Sequence, residues 1–161
     1  MSDITYLNTH KGFAFLAVVI DLLSRKVVSW NISRHMRDEL ITRTVGDAVA
    51  QLGRVTPILF HSDQGSQYSS RRIRCYLEAH CIMVTMSFRG TCYDNAVAES
   101  FFSNLKKELR RRVCYPSYEA AEKAVFHYIK LLYNSVRRHT ANQRLAPYVF
   151  EARYFKQIES V

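Results

Sequence analysis

Three acidic residues of this 161-residue chain stand where a plain surface carboxylate is less expected. Asp3 falls in the first strand-like segment, Asp63 directly follows the apolar run PILF, and Glu99 sits in a helical stretch 35 intervening residues later. A carboxylate emerging from a buried strand needs water, a hydrogen-bonding partner or a metal, because an unpaired buried charge is strongly disfavoured. A lone aspartate in such a place is ordinarily a turn cap. Three acids brought together suit phosphodiester chemistry, in which divalent metals neutralise nonbridging oxygens, activate a water or 3′-hydroxyl and stabilise the leaving oxygen. Hard cations such as Mg²⁺ take carboxylate and water oxygens in octahedral geometry. Two such ions roughly 3.5–4 Å apart need more than one short carboxylate.

Other chemistry-bearing residues read more plainly. His61, two residues before Asp63 and so on the same face of an extended strand, suits a hydrogen-bonding or packing role better than that of a metal ligand. His139, in RRHT, can touch phosphate or cap a helix C-terminus. The CxxxxHC string of Cys75, His80 and Cys81 lies along one expected helix and matches no tetrahedral metal spacing. The four cysteines, Cys75, Cys81, Cys92 and Cys114, form no CxxC pair and read as reduced thiols.

The elements that must position these groups follow from periodicity. DITYLNT reads as a strand, FAFLAVVIDL as a central strand buried on both faces, and VVSWNIS, with its alternation, as a half-exposed third strand. Leu40, Ile41, Val45, Ala48, Val49 and Leu52 recur at helical spacing and Gly53 is a natural stop. PILFHSD is a short strand opened by Pro57, SSRRIRCYLEAHC a helix with good N-cap residues, and IMVTM a fifth strand. Asp94 and Asn95 are candidate caps for a helix running to about Arg112. A further helix turns Ala121, Val125, Ile129 and Leu132 to the core, and the tail after Arg137 is expected to form short helical pieces. This order makes one α/β domain, a mixed sheet with helices on its faces. On the helix of Glu99, residues Ser103, Lys106 and Arg110 follow at i+4, i+7 and i+11 and share its face.

Lysine plus arginine number 23 against 14 acidic residues, a formal charge of +9 that favours a polyanionic partner. RRIR at 71–74, KKELRRR at 106–112 and RRH at 137–139 concentrate that charge with aromatics between them, which points toward nucleic acid. The longest apolar stretch, 13–23, is broken by Asp21 and is shorter than the roughly 20 residues a bilayer requires. With no signal-peptide pattern at the N-terminus, a cytoplasmic chain without membrane contact is expected.

DITY at 3–6, HSDQGSQYSS at 61–70 and CYDNAVAESFFSNLKKE at 92–108 resemble the catalytic core of bacterial insertion-sequence transposases of the IS-three group, which carry a retroviral-integrase-like domain. AVVIDLLSRKVVSW and YNSVRRH extend the resemblance over nearly the whole chain. It implies a ribonuclease H-like fold with a mixed five-stranded sheet, residues 1–155 forming the catalytic core and 156–161 a tail. It implies a DDE triad of Asp3, Asp63 and Glu99 acting as catalytic residues and ligands of Mg²⁺ or Mn²⁺, with two ions. The first two come from adjacent strands and the glutamate reaches across from a helix. Crowding of the three should raise at least one pKa until metal binds.

The implied activity is metal-dependent DNA cleavage and strand transfer in transposition or integration, with element ends and target DNA as partners and a homo-oligomer assembled on DNA. Lys106 matches the basic residue placed two turns beyond the glutamate as a contact to terminal DNA. Lys107, Arg110, Asn95, Gln67 and Tyr68 are further DNA-contact candidates, and Asn95, Gln67 and Tyr68 could instead support the ligands. Asp21 matches an aspartate outside the triad and is read as bonding turn amides in LLSRK. Gln64 stands where an arginine or asparagine is commoner. Members of the group usually carry an upstream extension with helix-turn-helix regions. With only Met1 and Ser2 before Asp3, a catalytic-core fragment with a frayed or incomplete first strand is expected, binding DNA mainly through charge. The competing readings are another ribonuclease H-like nuclease and an inactive remnant that binds DNA non-specifically.

Overall fold

The apolar first third folds as an antiparallel meander: β1 (Ser2–Thr9), β2 (Gly12–Ile20) and β3 (Val27–Ser33). In a computed structural model the described residues are 1–53, 58–63, 65, 67–86, 95–109 and 114–159. Among the sequence-based expectations, those for Pro57, Gln64, Cys92, Asp94, Arg110 and Arg112 lie outside them. Gly12, at φ +111°, closes the tight β1–β2 hairpin in a conformation other residues rarely adopt. After helix α1 (Asp38–Leu52), stopped by Gly53 at φ +66°, β4 (Leu59–Ser62) enters parallel to β1. Helix α2 (Arg71–Ala79) then leads to β5 (Met83–Met86), parallel to β4. The sheet order is β3-β2-β1-β4-β5, the mixed five-stranded sheet expected, with β1 at its centre.

β1 is not frayed. Its ladder begins at Ser2, paired with Val19 on one side and Ser62 on the other, and the Met1 nitrogen donates to the Ile20 carbonyl at 2.9 Å. Pairing on both edges fixes the start of the strand that carries Asp3.

Helices cover both faces. One core joins Leu16, Val18 and Ile20 to Phe101 and Leu105 of α3 (Ala96–Glu108) and to Val125 of α4 (Tyr118–His127). The other joins Val19 and Val28 to Ile41 and Val45 of α1 and to Ile73 and Leu77 of α2. Each such side chain contributes roughly 1.5–3 kcal/mol on full burial.

Three local expectations change. β3 is largely buried although it ends the sheet, because α1 satisfies its polar positions: Ser29 Oγ donates to the Thr44 carbonyl at 2.6 Å and Asn31 Nδ2 to Asp47 Oδ2 at 2.7 Å. Leu132 is exposed instead of in the core. After α4 the chain runs as a π-helical turn, Tyr128–Tyr133, which takes an extra residue per turn, so Tyr133 follows Ile129 into the core. The tail forms a 3₁₀ turn, Thr140–Asn142, and then α5 (Pro147–Glu159), a 13-residue helix rather than short pieces. Pro147 suits its first position, where no amide donor is needed, and Lys26 Nζ to Glu151 Oε2 at 2.6 Å ties it to the body. The helix passes through residue 155 without a break.

Buried Asn134 replaces a strand neighbour on β3, accepting from Val27 N and donating to Val27 O, both at 3.0 Å.

Candidate active site

Asp3 and Asp63 each follow the paired residues Ser2 and Ser62 by one position on the adjacent parallel strands β1 and β4. Parallel pairing sends both chains out of that register in the same direction, so the two acids follow side by side where β4 ends against the central strand. Glu99 comes from the first turn of α3. Ala98, Phe101, Phe102 and Leu105 pack inward and fix the rotation of α3, leaving Glu99, Ser103 and Lys106 exposed on one face.

Asp3 senses the other two acids. Asp3 is pushed from its ordinary 3.8 to about 6, chiefly by burial and further by the charges of Asp63 and Glu99. The donation from Ile4 N to Asp3 Oδ1 at 2.7 Å opposes the rise, as does that from Asn95 Nδ2 to Oδ2 at 3.2 Å. Among the causes of the rise, desolvation outweighs the charges of the other acids. Asn95 occupies the N-cap position of α3 without a capping bond, spending its amide on Asp3 and so tying the helix to the central strand. Its Oδ1 is buried without a hydrogen-bond partner.

Among the described residues, no three His, Cys, Asp or Glu side chains stand close enough to hold an ion as arranged. Asp63 Oδ1 accepts from Gly65 N at 3.0 Å and Asp3 is engaged by Ile4 and Asn95. The chemistry of the donor set nevertheless fits a hard divalent cation: carboxylate oxygens from adjacent strands, one with raised proton affinity, and an unsatisfied amide oxygen beside it.

Tyr68 requires a correction. Only 3% exposed, it packs with Phe60, Ile73 and Leu77, and its hydroxyl shares a 2.9 Å hydrogen bond with Ser2 Oγ. A ring so placed cannot reach DNA; it supports the strand position before Asp3. The signal was its place two residues before Ser70, the N-cap of α2, where a ring can pack beneath the first turn. Gly65 is required for space and not for backbone freedom. Its φ is not in the left-handed region, but a Cβ there would stand 2.9 Å from Asp63 Oδ1 and 3.0 Å from Gln67 Oε1. The glycine makes room for the carboxylate, and Gln67 lies half-buried beside it.

Lys106 is exposed, with Nζ 5.0 Å from the centre of the Tyr6 ring on β1, a cation–π contact that sequence reading did not anticipate. Lys107 is exposed next to it. His61 Nδ1 hydrogen-bonds Thr85 Oγ1 of β5 at 2.9 Å, in keeping with a bonding role. Asp21 does bond turn amides, accepting from Leu23 N at 3.3 Å and Ser24 N at 2.8 Å. Cys75 and Cys81 are exposed and free, and His80 stacks on Tyr76 instead of joining them.

The family model described as integrase core domain matches residues 1–92, and a second model of the same description matches 80–147. This chain belongs to the integrase core domain family. Its similarity extends to the transposase InsF for insertion sequence IS3A of Escherichia coli strain K12, 41% identical over 149 residues, covering 92% of this chain and 52% of that protein. The transposase for insertion sequence element IS904 of Lactococcus lactis is 36% identical over 151 residues, covering 94% of this chain and 60% of that one. This integrase core therefore spans roughly half the length of the curated relatives it matches.

Among solved structures, the simian T-cell lymphotropic virus intasome in complex with a PP2A regulatory subunit superposes with a TM-score of 0.72 at 19% identity, covering 92% of this chain and 52% of that one. The HTLV-2 integrase catalytic core domain in complex with magnesium gives 0.66 at 18%, covering 92% of each chain. The BIV integrase catalytic core gives 0.63 at 17%, covering 97% of each. At these identities the likeness is one of fold, which is the ribonuclease H-like fold expected from sequence. No helix among the described residues is long and apolar enough to cross a membrane.

Proposed function

We propose that this integrase core cuts DNA strands and joins a 3′-hydroxyl end to a second duplex, using Mg²⁺ or Mn²⁺ held by Asp3, Asp63 and Glu99. The observation that supports the reading is geometric: Asp3 and Asp63 each follow one of a pair of facing residues on adjacent parallel strands, and Asn95, at the start of the helix that carries Glu99, donates to Asp3. The likeness to curated transposases supports the reaction, and the magnesium of the HTLV-2 core supports the choice of ion.

Bound ions, two in this proposal, supply charge neutralisation on the scissile phosphate and activation of a water or 3′-hydroxyl. The protein's part is positioning. Asp3 must be ionised to ligate, and the Asn95 amide orients its Oδ2. The Gly65 amide holds Asp63 in its turn, and Asn95 Oδ1 is a further oxygen available to the site. Glu99 and Lys106 on one face of α3 allow acid and phosphate contact to follow one line along the helix, with Lys107, Asn95 and Gln67 as neighbouring DNA contacts. Arg110 is proposed as a further DNA contact. DNA ends and target are the substrates proposed, and a homo-oligomer on DNA is the assembly; dimeric and trimeric forms of the HTLV-2 core are in keeping with it.

The test uses duplex oligonucleotides with a free 3′-hydroxyl in Mn²⁺. The chain is expected to cut and join them, while Asp63→Asn and Glu99→Gln melt like the parent and do neither. Activity retained in either variant rejects the triad. Cutting without joining favours the nuclease reading instead.

A further inference from the structure

Helix α3 borders a second concave site, away from the acidic one. A cleft of about 390 Å³ opens between α3, the β2–β3 turn and the segment after the π-helical turn. Its walls bring together Arg25, Arg137 and Arg138 with His139, Ser100 and Asn104. Three guanidiniums from two distant stretches of chain thus meet on one depression. Arg137 is paired with Glu108, but no carboxylate pairs with Arg25 or Arg138 among the described residues.

Two details mark this as a built site. Arg25 is held at φ 62°, a left-handed conformation disfavoured for a residue with a Cβ. Asp21 fixes that turn, taking the Leu23 and Ser24 amides and the Ser24 hydroxyl, so its oxygens are occupied by the turn. His139 Nε2 is buried with no hydrogen-bond partner, and the charges of Arg137 and Arg25, added to burial, depress the proton affinity of its ring. Positive potential therefore converges on a pocket that also offers the neutral donors Ser100 and Asn104.

The geometry points to a phosphate site: the cleft of Arg25, Arg137 and Arg138 beside α3 binds a backbone phosphate of duplex DNA. Guanidinium forks match phosphate oxygens in pairs, and no base edge is needed to satisfy them. Ser100 directly follows Glu99 on α3, roughly 100° round the helix, so a phosphate here would lie on the flank of the helix next to its acidic face. This inference rests on the DNA reading above only in taking the anion as DNA.

The experiment measures binding of an arbitrary-sequence duplex by fluorescence anisotropy across a salt series, in EDTA, so that failure of metal-dependent cutting leaves the test intact. Arg25→Ala with Arg138→Ala is expected to weaken binding about tenfold at low salt and to reduce the log–log salt slope by about one unit per phosphate lost. Lys11→Ala with Lys123→Ala removes the same charge elsewhere and is expected to change both much less. Arg138→Glu, at an exposed side chain, repeats the test with a larger expected loss should the double variant fold poorly. An unchanged slope, or an equal fall in the lysine control, overturns the proposal. So does stabilisation of the parent by inorganic phosphate together with undiminished duplex binding in the arginine variant, which assigns the cleft to a free anion.

Discussion

Asp3 should make this fold less stable as pH rises, and metal should reverse the effect. Its carboxyl is raised from 3.8 to about 6 in the fold, mainly by burial. The folded state therefore holds the proton more tightly than the unfolded chain. Stability is fully present below pH 3.8 and is lost as pH rises through about 6. Two pKa units at about 1.4 kcal/mol each give a total of about 3 kcal/mol, of which about 2 kcal/mol falls between pH 4 and pH 7.5. For a domain of this size that is a fall in melting temperature of roughly 5–10 °C. The comparison that isolates it is Asp3→Asn, because every other titrating group is common to both proteins. An asparagine can still accept from Ile4 N, and the Asn95 amide can turn to offer its unpartnered oxygen. Melting both proteins at pH 4 and 7.5 in EDTA should show the extra loss only in the parent. Mn²⁺ at pH 7.5 should then restore the parent and leave Asp3→Asn unmoved. An equal pH response in the two proteins refutes the claim that Asp3 is buried among acids.

Three further outcomes follow from the packing. Gly65→Ala drives a Cβ toward Asp63 Oδ1 and Gln67 Oε1, and since displacing a reacting group by about 1 Å costs on the order of 10²-fold, cleavage should fall steeply while the melting temperature changes little; a parental rate would show that Asp63 need not sit where it does. Asn134→Ala leaves Val27 N and O buried without partners and should cost about 2–5 kcal/mol in urea unfolding, and a loss below about 1 kcal/mol would mean water replaces the amide. Tyr68→Phe removes only the bond to Ser2 and should cost about 1 kcal/mol with duplex affinity unchanged; lost affinity at parental stability would return Tyr68 to the DNA surface.

The elements were legible where one physical signal dominated. The continuous apolar β2 and the helical period ending at Gly53 each matched the structure because burial on a defined face is what those patterns encode. Asp21 was legible for a similar reason, since its partners lie within three residues. The errors arose where the partner was distant. The polar residues of β3 read as solvent-facing because nothing local announces that α1 will accept hydrogen bonds from Ser29 and Asn31. Leu132 followed a period of 3.6 that the π-helical turn breaks, and the buried rings of Tyr128 and Tyr133, not propensity, accompany that break. That Asp3 is held by an asparagine 92 residues away was not legible, nor was the steric need for glycine beside Asp63.

Helix α3 explains why so much of the candidate chemistry collects in one region. Its buried stripe, Ala98, Phe101, Phe102 and Leu105, is pinned by Phe101, whose ring meets Tyr133 edge-on at 4.8 Å, and Tyr133 in turn meets His139 at 4.9 Å. With rotation fixed from inside, the exposed stripe has only one arrangement: Glu99 and Lys106 toward β1, and Ser100 and Asn104 toward the arginine cleft. The acidic and basic sites are then not independent surface accidents. They are two flanks of one helix whose orientation the aromatic core sets, so under the proposed function a DNA strand held by phosphates on the basic flank would meet the carboxylates at a spacing that the helix fixes. Rigidity in the core, not proximity in sequence, is what makes that spacing usable for chemistry.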